Sequence, residues 1–205
     1  MTPPCRLHYP PPPVDEAEAL RYAGGRGGDG ALPALMQECI RTAAPLLSYR
    51  VCYRELPLST EGTTCRFGGV TVSSASLARH LGGCTRLVLF AATIGLEIDR
   101  LIARQGRLSP SRALMLQGFG AERIEALCDL FCSETATRLQ AEGFVCRPRF
   151  SPGYGDLPLA LQGDLFALLD CERAIGLTLT ASGLMSPTKS VTALIGAAPM
   201  KEEDV

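Results

Sequence analysis

A chain of 205 residues, 46% of them hydrophobic, is long enough to build one large domain around its own core. Its 20 basic and 21 acidic residues leave a formal net charge of −1, which argues against a general nucleic-acid binder, since that function draws on a basic excess. The longest apolar run, Leu87–Leu96, is far too short to cross a bilayer, and no charged stretch followed by an apolar one opens the chain, so neither a membrane span nor a signal peptide is expected.

Residues 1–14 are rich in proline, with Pro10 to Pro13 consecutive, and predict an extended or disordered arm outside the core. Asp15 is placed to cap a helix over Glu16–Tyr22. Gly24, Gly25, Gly27, Gly28 and Gly30 then make a flexible turn. No lysine–serine pair and no preceding strand accompanies it, which favours a linker over a phosphate loop. Leu32, Leu35, Met36, Cys39 and Ile40 recur at helical spacing and predict a helix over Ala31–Leu47. The period changes at Tyr49–Leu58, a strand, and two shorter strands fall within Thr63–Val72 around Gly68-Gly69. Ser74 or Ser76 caps a short helix through His80 and Leu81, which Gly82-Gly83 ends. Arg86–Ala92 is a continuous apolar strand, central in a sheet, and a helix follows over Glu97–Gln105.

Pro110 starts the longest helix, Ser111–Glu142, in which Gly118 and Gly120 mark a weak point. Ile124, Leu127, Cys128, Phe131, Cys132, Ala136 and Leu139 form its broad apolar face. Glu122 and Glu125 lie close to that face, and the plain reading of Glu125 is a carboxylate bordering the core stripe. Phe144–Phe150 reads as a strand, Pro158–Leu169 as an amphipathic helix, and Leu177–Thr180 and Ser190–Ile195 as strands joined by a turn-rich segment. Strict alternation of strand and helix is absent. The expected architecture is therefore α+β, a mixed or antiparallel sheet flanked by long helices. It forms one domain over residues 15–198, between the proline-rich arm and a charged tail at 199–205.

The nine cysteines are odd in number and contain no C-x-x-C pair, which argues against a disulfide framework and for a reduced, cytoplasmic setting. Cys128 and Cys132 share one helix face as small apolar groups. The two histidines, His8 and His80, are far apart in sequence, so no metal site is expected.

One stretch gathers unusual chemistry: Arg149-Phe150-Ser151-Pro152-Gly153-Tyr154-Gly155-Asp156. Gly153 and Gly155 permit positive φ and close approach of a ligand to the backbone, and Pro152 pushes Ser151 out of the helical region. Arg149 offers a rigid fork of donors suited to a carboxylate. The residues alone leave two readings open, a ligand-binding loop or an Ω-like loop whose tyrosine plugs the core.

Arg149 to Tyr154 resembles the Arg-x-x-x-Gly-Tyr motif of the activation domain of cobalamin-dependent methionine synthase. Thr178 to Val191, reading Thr-Leu-Thr-Ala-Ser-Gly-Leu-Met-Ser-Pro-Thr-Lys-Ser-Val, is similar to that family's Leu-Thr-Glu-Ser-x-x-Met-x-Pro-x-x-Ser-Val stretch. Ala91–Asp99 and the helix over Gly120–Asp129 look like the short stand-alone members. The resemblance implies a twisted, mostly antiparallel sheet with helices. It also implies binding of S-adenosylmethionine and, in methionine biosynthesis, the reductive methylation of cob(II)alamin on a separate methionine synthase or other corrinoid protein. A flavodoxin-like donor would supply the electron.

On the same resemblance Arg149 grips the ligand carboxylate and the backbone at Ser151, Pro152 and Gly153 holds the adenine side. Tyr154 walls the site, and Glu125 matches a glutamate that faces the ligand's positive end. No side chain need act as a catalytic acid, base or nucleophile. The chain departs from the long enzymes in having no Asp-x-His-x-x-Gly corrinoid motif, in carrying Gly155-Asp156-Leu157-Pro158 where they have Pro-Ala-Cys-Pro, in Ala181 where glutamate is frequent, and in ending before a late tyrosine that contacts their ligand. The alternative is a non-catalytic module that docks on or caps a corrinoid methyltransferase.

Overall fold

In the computed structural model, which describes residues 3–25 and 30–200, the proline-rich N-terminus opens with a strand, β1 (Cys5–Tyr9). Helix α1 (Glu16–Tyr22) follows, and the Asp15 carboxylate caps it by accepting the Glu18 N–H at 2.9 Å. Helix α2 (Ala31–Ala43) tightens into a 3-10 turn at Ala44–Leu46, where Pro45 enters, and leads to β2 (Tyr49–Pro57). A small meander of β3 (Ser59–Glu61), β4 (Thr64–Phe67) and β5 (Val70–Ser73) comes next, then α3 (Ala75–His80). Of the two candidate caps for α3, Ser74 is the one used: its hydroxyl accepts the Leu77 N–H at 3.0 Å. The apolar run becomes β6 (Arg86–Thr93), followed by α4 (Glu97–Leu108) and the long α5 (Pro110–Ala141). The remainder is β7 (Phe144–Cys146), α6 (Leu161–Leu169), α7 (Cys171–Ile175), a hairpin of β8 (Thr178–Leu179) and β9 (Met185–Ser186), and β10 (Ser190–Pro199).

The main sheet has the order β1-β2-β6-β10-β7, and every pairing in it is antiparallel. The expected α+β fold with a mostly antiparallel sheet and flanking helices is thus the one observed. Successive side chains on a strand point to opposite faces, and β6 shows the consequence. Val88, Phe90 and Ala92 enter a core beneath α1, α2, α4 and α5, whereas Leu87, Leu89 and Ala91 enter a second core beneath the meander, α3, α6 and α7. Both faces are covered, so the strand reads as one apolar run without alternation. Each fully buried Leu, Val or Phe side chain of this run stabilises the fold by about 1.5–3 kcal/mol.

Three expectations need correction. Gly118 is not a weak point, because α5 runs unbroken through it. A Cβ there would lie 2.4 Å from the Ala19 carbonyl oxygen and 2.7 Å from the Ala23 Cβ, so the missing side chain lets α1 lie against α5. The strand expected over Phe144–Phe150 stops at Cys146, since Pro148 has no N–H for the ladder, and resumes only as a single bridge between Phe150 and Leu194. The helix expected from Pro158 begins at Leu161, after a series of tight turns.

The N-terminal arm is also more than an appendage. Leu7 and Tyr9 of β1 pack against the first core. Beyond the strand, the carbonyls of Pro12 and Pro13 accept hydrogen bonds at 2.6 Å each from the Arg123 guanidinium, which is wholly buried and paired with Glu122. A polyproline segment has no internal hydrogen bonds, so its carbonyls are free for this clamp. Gly27 and Gly28 of the expected turn, and the tail from Lys201, lie outside the described residues. Among the described residues no helix is long and apolar enough to cross a membrane.

Candidate ligand-binding site

The site begins at a gap in the sheet. β7 pairs with β10 only at Ala197–Pro199, and Phe150 adds the bridge to Leu194, with N–H to O distances of 2.8 Å in both directions. In an antiparallel strand alternate residues direct their N–H and C=O to opposite neighbours. Leu194 faces Phe150, so Thr192 and Ser190 face the same way, towards an edge where, among the described residues, no strand pairs with them. A pocket of about 330 Å³ occupies this edge. Ser190, Val191 and Thr192 form its floor, Glu125 of α5 lies on one side, Gln162 of α6 on the other, and the loop from Arg149 to Tyr154 closes it with Leu159 and Met185.

That loop is fastened at both ends. Its first end is the Phe150 bridge, and the Phe150 ring lies 5.0 Å from the His80 ring and 6.1 Å, edge-on, from Tyr154. Within the loop the Tyr154 N–H donates to the Ser151 carbonyl at 3.2 Å and the Gly153 N–H to the Leu157 carbonyl at 2.9 Å. The second end is Asp156. Its carboxylate accepts the Ser74 hydroxyl at 2.5 Å and the N–H groups of Ala75 and Ser76 at 2.7 and 3.0 Å, at the start of α3. The Ser74 hydroxyl first, then those two amides, hold the Asp156 carboxyl well below the usual carboxylate range. Gly155 makes this approach possible: its φ is 56°, and a Cβ there would lie 2.6 Å from the Ser76 hydroxyl.

Arg149 lies in the pocket wall with its Nη2 donating to Glu125 and, at 3.4 Å, to Asp129. Burial alone would lower the Arg149 guanidinium; the Glu125 hydrogen bond, with the Glu125 and Asp129 charges, outweighs it and keeps the group firmly protonated. The pair is only half-buried, at 26% exposure for Arg149 and 37% for Glu125. Arg149 makes no other side-chain hydrogen bond among the described residues, so Nε and Nη1 retain donors for an incoming acceptor. Nearby Cys128 and Cys132 are thiols raised by burial, Cys132 to about 11, so both stay protonated at neutral pH and pack as apolar groups. Among the described residues no three His, Cys, Asp or Glu side chains gather in a way that could hold a metal ion.

Of the residues singled out in the sequence, Glu125, Arg149, Ser151, Pro152 and Tyr154 line this one pocket, while Gly153 contributes loop backbone. Tyr154 does not plug the core; it is 62% exposed at the rim. The pocket also takes in Leu159, Gln162, Met185, Ser190, Val191 and Thr192, none of which the sequence marks as a site residue. Met185, Ser190 and Val191 belong to the second family-like stretch and were within reach. Gln162 and Thr192 carry no such signal, because only the meeting of α6 with the open edge of β10 brings them together.

The crystal structure of the MetH reactivation domain bound to AdoHcy superposes with a TM-score of 0.66 at 15% sequence identity, covering 97% of this chain and 79% of that one, which establishes a shared fold. A search of curated protein sequences returns no match. The family described as vitamin B12 dependent methionine synthase, activation domain, matches residues 82–203, more than half of the chain and the whole of the pocket lining. The chain belongs to that family of methionine synthase activation domains.

Proposed function

We propose that the chain is a reactivation subunit that binds S-adenosylmethionine in the Arg149–Glu125 pocket and presents its methyl group to cobalamin carried by a separate methionine synthase or other corrinoid protein. The observation that carries this reading is the half-open ion pair in a pocket of ligand size. Pockets for small molecules start at about 300 Å³ and combine apolar walls with a few placed polar groups. Here Pro152, Leu159, Met185 and Val191 supply the walls, and Arg149 with Glu125 supplies the charge.

The residues present fit the ligand's methionyl end, which bears a carboxylate, an ammonium and a sulfonium. The free donors of Arg149 take the carboxylate, and Glu125, with Asp129 behind it, faces the cationic groups. One arginine between two carboxylates leaves the site with a net negative charge, opposite to the net positive charge of S-adenosylmethionine. Ser151, Pro152, Gly153 and Tyr154 form the loop wall that fixes the ligand's orientation. Cobalamin supplies the reduced cobalt that accepts the methyl group, and a flavodoxin-like partner is the proposed electron source. The leaving group is a neutral thioether, so no side chain must move a proton. The chain's work is positioning and partial exclusion of water.

The test is incubation of the chain with methyl-labelled S-adenosylmethionine, a corrinoid protein and a one-electron reductant. Label should pass to the corrinoid only when the chain is present. Binding of the corrinoid protein without transfer of label would instead identify a cap.

A further inference from the structure

Two buried polar side chains of the pocket have no role in the reading above. Gln162, in the first turn of α6, is 6% exposed, and Thr192, on the open edge of β10, is 3% exposed. Both line the pocket, and among the described residues neither side chain has a hydrogen-bond partner. The sealed, unpartnered side-chain atoms among the described residues belong to Arg50 and Arg54, so the Gln162 carboxamide opens into the pocket and not into packed protein. Roughly nine in ten buried polar groups in folded proteins are hydrogen-bonded. A buried carboxamide held on a helix, facing a cavity without a partner, is a group built for a ligand.

The chemistry of that ligand follows from three facts. A carboxamide presents a donor and an acceptor side by side in one plane. An adenine edge is its complement, with the 6-amino group donating and a ring nitrogen accepting. Second, Pro152, Leu159 and Met185 give the pocket apolar surface for the faces of a flat ring. Third, the Gly153 and Tyr154 N–H groups of the closing loop are engaged within it and are not open to a base. Glu125, which holds Arg149, comes from α5 on one face of the sheet and Gln162 from α6 on the other, so one ligand can lay its methionyl end against the first and its base against the second.

We propose that Gln162 reads the adenine of the bound ligand, pairing its carboxamide with the 6-amino group and the adjacent ring nitrogen, with the Thr192 hydroxyl as a second polar group in the same pocket. The inference rests on the reading of the pocket as an S-adenosylmethionine site and extends it from the methionyl end to the base.

The experiment is calorimetric titration of the full chain with three ligands: S-adenosylhomocysteine, its analogue lacking the 6-amino group, and its 2′-deoxy analogue. Wild-type protein should lose about tenfold or more in affinity when the amine is removed. Gln162→Met, which keeps the length of the side chain and removes both polar atoms, should bind the amine-bearing and amine-less ligands alike and keep the wild-type response to the 2′-deoxy change. Gln162→Glu retains an acceptor for the amine and should retain the amine effect; it decides the matter if Gln162→Met binds none of the three. An amine effect that persists in Gln162→Met, a 2′-deoxy effect that vanishes there, or equal affinity for both bases in Gln162→Glu overturns the proposal. Failure of the wild-type chain to bind any of the ligands overturns the reading of the site itself, whereas wild-type binding with an amine effect independent of residue 162 overturns the inference alone.

Discussion

Helix α5 takes part in two arginine–glutamate pairs, through Glu122 with its neighbour Arg123 and, within one turn, through Glu125 with Arg149 of the loop, and they have opposite characters. Glu122 pairs with Arg123 in the interior, at 4% and 0% exposure, and two further donors of the guanidinium are taken by the Pro12 and Pro13 carbonyls. The Asp15 N–H adds a further bond to Glu122 at 3.2 Å. Both side chains are sealed from solvent and each is bonded to the arm, so this pair is a clasp between the N-terminal arm and the helix. Glu125 pairs with Arg149 at the pocket, half-buried and with arginine donors to spare. Burial and hydrogen-bond satisfaction, not residue type, separate the clasp from the site. A saturated pair fixes structure, and an unsaturated pair beside a cavity waits for a ligand.

Breaking the closed pair should have the largest effect. Arg123→Met strands a buried carboxylate and two carbonyl acceptors on the arm, and should cost about 3–5 kcal/mol of stability. Urea unfolding reads this directly, and the protein that remains folded should keep its ligand affinity. Little change in the urea midpoint would mean that the clasp is ornamental. Next comes Arg149→Ala, which should weaken S-adenosylmethionine binding by about 2–4 kcal/mol, as for a charge-assisted pair whose partner is left unpaired, with little change in melting temperature. A large fall in melting temperature with unchanged affinity would assign the open pair to structure as well.

Glu125→Gln sharpens the comparison further. It removes the charge facing the sulfonium, so the preference for S-adenosylmethionine over S-adenosylhomocysteine should shrink by about fivefold, the value of a partly exposed pair worth about 1 kcal/mol. An unaltered preference in paired titrations would place the sulfonium elsewhere. The smallest effect concerns the loop anchor. The Asp156 carboxyl is held below its ordinary range, so its stabilising contribution is present above that range and is lost as the pH falls through the depressed value. Protease cleavage of the Arg149–Asp156 loop should therefore rise on acidification in the wild type, and Asp156→Asn should flatten that pH dependence. Identical acid profiles for the two proteins would show that the anchor lies elsewhere.

Most elements were legible because local signals were strong. Asp15, Ser74 and Pro110 start helices, and the runs at Tyr49 and Arg86 form strands close to their expected bounds. The errors share a cause. Gly118 was read by helix propensity, but the approach of α1 decides its role. The proline arm was read as detached because nothing in its own residues announces Arg123, more than a hundred positions away. In the site, Arg149, Glu125 and the loop were found through motif resemblance, whereas Gln162 and Thr192 needed the tertiary gap at the edge of β10. Asp156 closes the stretch of unusual chemistry and departs from the family pattern, and nothing in the sequence says that it fastens the loop to α3.

The most direct test of the central claim is calorimetric titration of S-adenosylmethionine into wild-type, Arg149→Ala and Arg123→Met chains, alone and with a corrinoid protein present. Saturable binding to wild type and to folded Arg123→Met, lost in Arg149→Ala, is the predicted result. Absence of binding under both conditions, or binding indifferent to Arg149, would contradict the assignment of the open pair as the ligand site.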